Sequence, residues 1–236
     1  MIEVRKAADR GPTITNWLRS YHSFSFGNYY DPKHLGFGPL VVLNDDYVSP
    51  KSGFGMHPHR DMEILTYVLE GELEHRDSTG ANGVIRSGEV QRMSAGTGIR
   101  HSEYNPSVST TTHLLQIWFE PETVGLQPSY AQKQFTPEQR HNRLFLVASS
   151  QDGGEQLLIH QDVEVYVTRL DSARELEYDI SIGRGVYLHI IDGMVKANGV
   201  MLEGGDAIKL SSESVLHVKA AKQTELILFD LSMNKR

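Results

Sequence analysis

Residues 68–74 read Val-Leu-Glu-Gly-Glu-Leu-Glu, and residues 190–196 read Ile-Ile-Asp-Gly-Met-Val-Lys. Each stretch has an apolar pair, an acid and a glycine, followed by residues of alternating character, which is typical of a strand, a tight turn and a second strand. The next matching turn signal is Ser87-Gly88-Glu89 in the first copy and Gly204-Gly205-Asp206 in the second, so the two glycines lie 17 residues apart in the first copy (88 − 71) and 12 in the second (205 − 193). The sequence therefore predicts two β units related by a weak repeat, the second with a hairpin five residues shorter.

Short apolar segments, separated by Gly, Asn, Asp or Pro, recur on both sides of this repeat. They have the length of strands, about four to eight residues, and occupy residues 40–43, 64–69, 113–119, 163–170, 186–191 and 225–231. The best helical signal is residues 136–140, where a Thr can cap and a Pro can take the first helical position. We expect an all-β protein with few short helices and two domains, 1–130 and 131–236.

The composition limits the possible functions. Hydrophobic residues make up 39% and charged residues 22% of the chain, as in ordinary globular proteins. The 23 Lys and Arg against 30 Asp and Glu give a net charge of −7, which argues against direct nucleic-acid binding. No stretch approaches the roughly 18 apolar residues of a membrane helix, and the N-terminus lacks a secretory signal, so we expect a cytoplasmic protein. The absence of cysteine excludes disulfides, thiolate metal ligands and a cysteine nucleophile.

Two short segments, each entered through Gly-x-Gly, carry residues suited to chemistry. The first contains His57 and His59, and the second contains His101 and Glu103. Residues i and i+2 of a strand point to the same face, so each pair can aim at one point. Two such pairs on neighbouring strands supply three imidazoles and a carboxylate, a donor set that suits a divalent transition metal.

Each pair has an ordinary explanation when taken alone. A His-x-His often lies at an exposed strand end, and Glu103 can be a solvated charge. The joint occurrence of two pairs with strand parity, on either side of the Gly71 and Gly88 turns, favours a metal site.

These segments resemble the two cupin motifs. The matching positions are His57, His59, Glu63 and Gly71 in the first motif and Gly88, Gly96, His101 and Asn105 in the second. Two features depart from the usual pattern: Glu63 and Gly71 lie one residue further apart, and Ser94 stands where Pro is common. The departures match the pirin family, which the first half also resembles in residues 22–26, 29–32, 43–46, 57–60 and 96–103.

The resemblance implies a bicupin: two double-stranded β-helix barrels, similar to jelly rolls, with metal in the N-terminal one. It is closest to bacterial members described as quercetin 2,3-dioxygenases. The family's metal ligands carry over to His57, His59, His101 and Glu103. Glu63 would then orient an imidazole or support the fold, although its parity also permits ligation. We expect one divalent transition metal per chain, with Fe²⁺ favoured and Zn, Ni, Cu, Mn or Co as alternatives.

The second half lacks the corresponding ligands. Aligning Gly193 on Gly71 places Asp179 and Ser181 at the levels of His57 and His59. Val218 falls at the level of His101, and the neighbouring His217 has the wrong parity. We therefore expect a C-terminal cupin domain without metal.

Other aromatic residues and histidines have less specific patterns. Histidines without a partner at ligand spacing are expected at the surface or in structural roles: His75, His141 and His160. His113 is expected to pack or hydrogen-bond rather than ligate, and Trp118 to lie in the core. An apolar pocket flanked by phenylalanines would involve Phe24, Phe26 and Phe37.

A site that holds M²⁺ with three neutral imidazoles and one carboxylate has a positive net charge. Such a site favours an anionic oxygen ligand such as a flavonolate. Glu103 can also act as the general base that removes the substrate's enol proton. The resemblance thus implies a dioxygenase that opens the heterocyclic ring of flavonols such as quercetin and releases carbon monoxide. Flavonol and dioxygen would be the partners of a monomer. Two alternatives remain: a non-enzymatic, redox-sensing regulator that binds a protein partner, and a cupin isomerase.

Overall fold

The computed structural model describes residues 1–234 and shows an almost purely β protein. Strands make up 58% of the chain and helix 1%, the latter a single 3₁₀ turn at Ala7–Asp9. The strands of the first half are β1 (Ile2–Arg5), β2 (Gly11–Ile14), β3 (Leu18–His22), β4 (Leu40–Val48), β5 (Gly53–His59), β6 (Glu63–Glu70), β7 (Glu72–Asp77), β8 (Asn82–Arg86), β9 (Glu89–Ser94), β10 (Ile99–Tyr104), β11 (Thr112–Phe119) and β12 (Ser129–Gln134). Those of the second half are β13 (Phe145–Ser149), β14 (Leu157–Leu158), β15 (Val163–Leu170), β16 (Glu175–Asp179), β17 (Arg184–Asp192), β18 (Met194–Ala197), β19 (Val200–Glu203), β20 (Ala207–Ser211), β21 (Val215–Ala220) and β22 (Thr224–Ser232).

Each half forms one seven-stranded and one four-stranded sheet in the same order. The first half has β12-β9-β6-β11-β4-β3-β2 and β5-β10-β7-β8, and the second has β1-β20-β17-β22-β15-β13-β14 and β16-β21-β18-β19. Apolar side chains from both sheets of a half fill the space between them. The two sheets of each half remain separate ladders, so each half is an open barrel rather than a closed one. This arrangement confirms the all-β fold with two cupin domains.

The two glycines that define the repeat occupy equivalent turns. Gly71 connects β6 to β7 and Gly193 connects β17 to β18, with φ angles of +76° and +92°. A side chain at either position would be strained at such an angle. The second hairpin is the shorter one, because β18 and β19 have only four residues each.

The two halves are joined by an exchanged strand and a shared core. Strand β1 pairs with β20 in the second half, with Ile2 opposite Leu210. The corresponding edge of the first half is occupied by β12, which pairs with β9. Phe119 and Phe229 meet within one buried cluster formed by the seven-stranded sheets, with ring centroids 6.0 Å apart. The boundary between domains 1–130 and 131–236 stays a prediction.

The predicted helical signal at residues 136–140 forms a turn instead. The Gln139 N–H does donate to the Thr136 hydroxyl, at 3.4 Å. Five residues are too few to offset the cost of nucleating a helix, and the buried Arg140 side chain donates to Tyr67 and Glu225 across the two halves. None of the helical structure within residues 1–234 has the length and apolarity needed to cross a membrane.

Candidate metal centre

Three histidines from two neighbouring strands come together at one end of the first barrel. Strands β5 and β10 pair antiparallel, which places His57 opposite His101 and His59 opposite Ile99. The ring centroids lie 4.4 Å apart for His57–His101, 4.8 Å for His57–His59 and 4.9 Å for His59–His101. Each ring offers a nitrogen within 4.8 Å of the other two. The geometry thus brings together the three predicted imidazoles.

The Glu103 carboxylate adjoins this group. A shift of register between His101 and Glu103 on β10 marks a bulge next to the site. Glu103 is 2% exposed and lies within 4.8 Å of donor nitrogens on His101 and His75. Its Oε2 accepts a hydrogen bond from Gln116 at 2.8 Å. Ligation of a metal by Glu103 together with all three histidines stays a prediction.

Hydrogen bonds hold the Glu103 carboxylate in one orientation. Its Oε1 accepts from the Thr66 hydroxyl at 3.2 Å and from the Gln91 amide at 3.3 Å. Hydrogen bonds to the ionised form offset the cost of burying a carboxylate. Glu103 is therefore a buried acceptor whose direction is fixed by three neighbouring side chains.

Hydrogen bonding and burial leave ring nitrogens of these histidines available to a metal. Nδ1 of His57 lies 2.7 Å from the Gly55 carbonyl, so it donates there and leaves Nε2 with its lone pair. Nε2 of His101 is buried without any hydrogen-bond partner. Burial, followed by the neighbouring imidazoles, lowers the pKa of His59 to about 4 and that of His101 to about 3. Neutral imidazoles with an orphaned nitrogen fit a divalent transition metal.

An apolar cavity of about 360 Å³ opens onto these side chains. Trp118 and Phe26 line it, and their rings meet edge to face at 5.4 Å. Trp118 also packs edge to face on His59 at 4.8 Å, while its half-buried side chain lies against the buried cluster that contains Ile64 and Met93, so it borders both the core and the cavity. The cavity has the size and apolar lining of a small-molecule site.

The phenylalanine prediction holds for one residue of three. Phe26 lines the cavity, whereas Phe24 and Phe37 pack near Tyr187 in the shared core, with ring distances of 5.4 Å and 6.3 Å. All three lie in the segment between β3 and β4, whose turns direct their side chains differently.

A polar wall of the cavity escaped the sequence reasoning. Nδ1 of His22 donates to the amide oxygen of Asn44 at 2.8 Å, and its Nε2 lies 2.8 Å from the Thr13 hydroxyl. Asp46 lines the same cavity with one oxygen buried and unpartnered. Burial first, and then the charges of Asp45 and Glu103, raise the pKa of Asp46 to about 7. The available signal was the i, i+2 spacing of Asn44 and Asp46, which together with Asp45 interrupt an otherwise apolar strand.

Glu63 points away from the imidazoles, toward the second half. Its Oε2 accepts from the Ser94 hydroxyl at 3.0 Å and from the His160 backbone N–H at 3.0 Å. Within residues 1–234, the groups of potential metal ligands do not include it. These contacts give Glu63 a structural role at the junction of the two halves.

His75 is buried beside the site rather than at the surface. It is 0% exposed, and its Nδ1 lies 3.5 Å from Nδ1 of His101. Its Nε2 lies 3.0 Å from the Asp77 carboxylate. The pattern His75-x-Asp77 has the same strand parity as the other pairs, so parity alone could have identified it.

The equivalent strands of the second half carry other side chains. Val218 on β21 is buried in the second core, and His217 is exposed with its ring 3.0 Å from Glu177. Among residues 1–234, both groups of three potential ligands lie in the first half.

Gly53 allows the close approach of β5 and β10, and we expect Gly53→Ala to disturb it. A Cβ at Gly53 would lie 2.2 Å from the carbonyl oxygen of Glu103, whereas one at Gly55 would meet nothing within 4 Å. Overpacking of this kind costs about 1–3 kcal/mol of unfolding free energy. Urea denaturation should show that loss for Gly53→Ala and little change for the control Gly55→Ala. Equal stability of the two variants would contradict the packing argument.

Known proteins are similar to this chain over nearly its whole length. Residues 2–119 match the family model described as Pirin, and residues 146–231 match that of the quercetinase C-terminal cupin domain. Quercetin 2,3-dioxygenase of Escherichia coli (strain K12) is 46% identical, over 98% of this chain and 99% of the relative. A putative quercetin 2,3-dioxygenase of Pasteurella multocida is 41% identical, over 98% of this chain and 100% of the relative.

Two solved structures are similar throughout. The crystal structure of YhhW from Escherichia coli has a TM-score of 0.96 and 44% identity, covering 100% of both chains. That of bacterial pirin YhhW from Escherichia coli in complex with nickel(II) has a TM-score of 0.94 and 44% identity, covering 98% of this chain and 99% of the other.

Proposed function

The chain belongs to the pirin family, and from this premise we propose that it is a metal-dependent quercetin 2,3-dioxygenase. The observation that carries the proposal is the convergence of His57, His59 and His101 on one wall of an apolar cavity. Relatives at 46% and 41% identity bear the name of this activity. The non-enzymatic alternative needs no such cavity, so the cavity favours the enzyme.

A divalent metal would be held by the three imidazoles and by Glu103. The nickel(II) complex of a 44% identical structure supports this class of ion, and Fe²⁺ is our proposal for this chain because imidazole and carboxylate donors with open positions suit it. When bound, the ion would supply a Lewis acid and a path for electron density between substrate and dioxygen.

Glu103 would be the catalytic base. Its carboxylate lies on the cavity wall, where an Oε atom can accept the proton of the flavonol 3-hydroxyl. General bases of this kind act within roughly 2.6–3.2 Å of the proton they remove. The hydrogen bonds from Gln116, Thr66 and Gln91 would keep the carboxylate aimed during the transfer.

The cavity walls would orient the flavonol and exclude water. The flat rings of the substrate would lie against Trp118, Phe26 and Phe54, which line the apolar side. His22, Asn44 and Asp46 would receive its hydroxyl groups on the polar side. Stacking and edge contacts thus fix the ring to be opened beside the histidines.

The reaction balances without an external reductant. The C2–C3 and C3–C4 bonds of the flavonol break, and the two atoms of O₂ end on C2 and C4. C3 leaves with its oxygen as carbon monoxide. Substrate carbons supply all four electrons that dioxygen accepts.

Metal analysis combined with oxygen consumption on quercetin tests the proposal. We expect about one divalent transition ion per chain, oxygen uptake only when the flavonol is present, and carbon monoxide released in equal amount. Metal-loaded protein that consumes no oxygen with any flavonol would overturn the dioxygenase and leave the regulator as the better function. The monomeric state and the cytoplasmic location stay predictions.

A further inference from the structure

A buried histidine and a buried aspartate form a chain of contacts behind one of the proposed ligands. His75 and Asp77 on β7 lie opposite Glu103 and His101 on β10, respectively. Both side chains are 0% exposed, and His75 Nε2 lies 3.0 Å from Asp77 Oδ2. His75 Nδ1 then lies 3.5 Å from Nδ1 of His101.

The far end of this chain is firmly anchored. The other oxygen of Asp77 accepts from the Thr79 hydroxyl at 2.6 Å, from the Thr79 backbone N–H at 2.8 Å and from the Ala81 N–H at 3.2 Å. The ring of Tyr130 stacks on His75 at 4.6 Å with an angle of 28°. Neither the carboxylate nor the imidazole is free to reorient.

The order of donors and acceptors fixes the tautomer of each ring. An ionised carboxylate only accepts, so Nε2 of His75 carries a hydrogen, and in the neutral ring Nδ1 is then the acceptor nitrogen. The contact between the two Nδ1 atoms then requires His101 to donate. This leaves the lone pair of His101 on Nε2, the buried nitrogen that has no partner.

We propose that His75 and Asp77 are positioning residues that fix the tautomer of His101 and strengthen its nitrogen as a metal ligand. The inference rests on the ligand set proposed above. His57 obtains its tautomer from a backbone carbonyl, and within residues 1–234 the ring of His59 makes no hydrogen bond. His101 is thus the one of the three imidazoles that is linked to a buried carboxylate. A hydrogen bond of this kind raises ligand basicity and hence metal affinity.

The same barrel offers a matched control. His113 also contacts an aspartate, with its Nε2 2.7 Å from Asp45, and its ring also stacks on a tyrosine, Tyr47, at 4.1 Å. Neither His113 nor Asp45 lines the cavity. His113→Phe therefore reproduces the packing change of His75→Phe without touching a proposed ligand.

The test compares His75→Phe, Asp77→Asn and His113→Phe by competition titration with Ni²⁺ and by the visible spectrum of the Co²⁺ proteins. We expect the Kd for Ni²⁺ to rise about 10- to 100-fold in the first two variants. Their Co²⁺ spectra should shift, while His113→Phe keeps the Kd and spectrum of the wild type. Asp77→Asn is the near-isosteric variant that keeps the test valid if His75→Phe does not fold. Its amide would donate to His75 and reverse both tautomers.

Two results would overturn the inference. One is an unchanged Kd for Ni²⁺ in Asp77→Asn while His101→Ala abolishes binding. His101 would then remain a ligand, and Asp77 and His75 would have no effect on it. The other is an equal loss in His113→Phe, which assigns the effect to general packing of the barrel. Because binding is measured without flavonol, neither result depends on the dioxygenase activity.

Discussion

Replacement of His59 by Ala should abolish stoichiometric metal binding and, with it, the oxygen uptake on quercetin. His59 is half-buried, packs edge to face on Trp118 and makes no ring hydrogen bond within residues 1–234. The substitution therefore removes a proposed ligand and its aromatic contact with Trp118, without breaking a side-chain hydrogen bond among the described residues. The loss of metal affinity should be larger than the roughly 10- to 100-fold loss caused by replacing a residue that only hydrogen-bonds to a metal ligand.

The measurement is metal content after dialysis, paired with oxygen consumption, for His59→Ala and for His217→Ala. His217 is a suitable control because it is an exposed histidine on β21, the strand that matches β10 in the second half. We expect His217→Ala to behave as the wild type. Full metal content in a folded His59→Ala protein would remove His59 from the ligand set, even if turnover were lost.

Strand parity made the clustering of the three histidines predictable, because parity depends only on local geometry. His57, His59 and His101 were identified from i, i+2 spacing in segments that begin with glycines, and their strands pair as neighbours. The paired turns at Gly71 and Gly193 likewise follow from local sequence, since both need a positive φ.

Features that depend on distant pairing could not be predicted in this way. Strand β1 crosses to pair with β20, more than 200 residues away in sequence, and nothing in the four residues of β1 specifies that partner. The parity of His75 and Asp77 marks them as a pair, but the contact of His75 with His101 depends on the pairing of β7 with β10, which local pattern does not reveal. The direction of Phe24 relative to Phe26 depends on the loop that carries them.

Local sequence pattern also could not distinguish the roles of Glu63 and Glu103. Both Glu63 and Glu103 have the parity to reach the imidazoles, and only the resemblance to the pirin family separated them. The separation in space comes from the second half of the chain, where His160 supplies the N–H that holds Glu63. A contact 97 residues apart is invisible to local pattern.

Glu103→Gln should lower kcat for quercetin by about 10²- to 10⁴-fold, the usual contribution of a general base. The substitution keeps the shape of the side chain and one carbonyl acceptor. Gln116 can turn its amide to offer an oxygen to the new NH₂ group, so the buried hydrogen bonds can be re-formed. We therefore expect a folded protein that still binds metal, more weakly, because it lacks the charge of the carboxylate.

Glu63→Gln is the matched control, since Glu63 is 1% exposed and belongs to the same barrel. Its carboxylate holds Ser94 and His160, so the change should lower the melting temperature and leave metal content and kcat close to those of the wild type. The comparison separates a carboxylate that moves a proton from one that joins two halves of a chain. If Glu63→Gln lost turnover and Glu103→Gln kept it, the assignment of the base would be reversed, and the metal would have the ligand set of ordinary cupins.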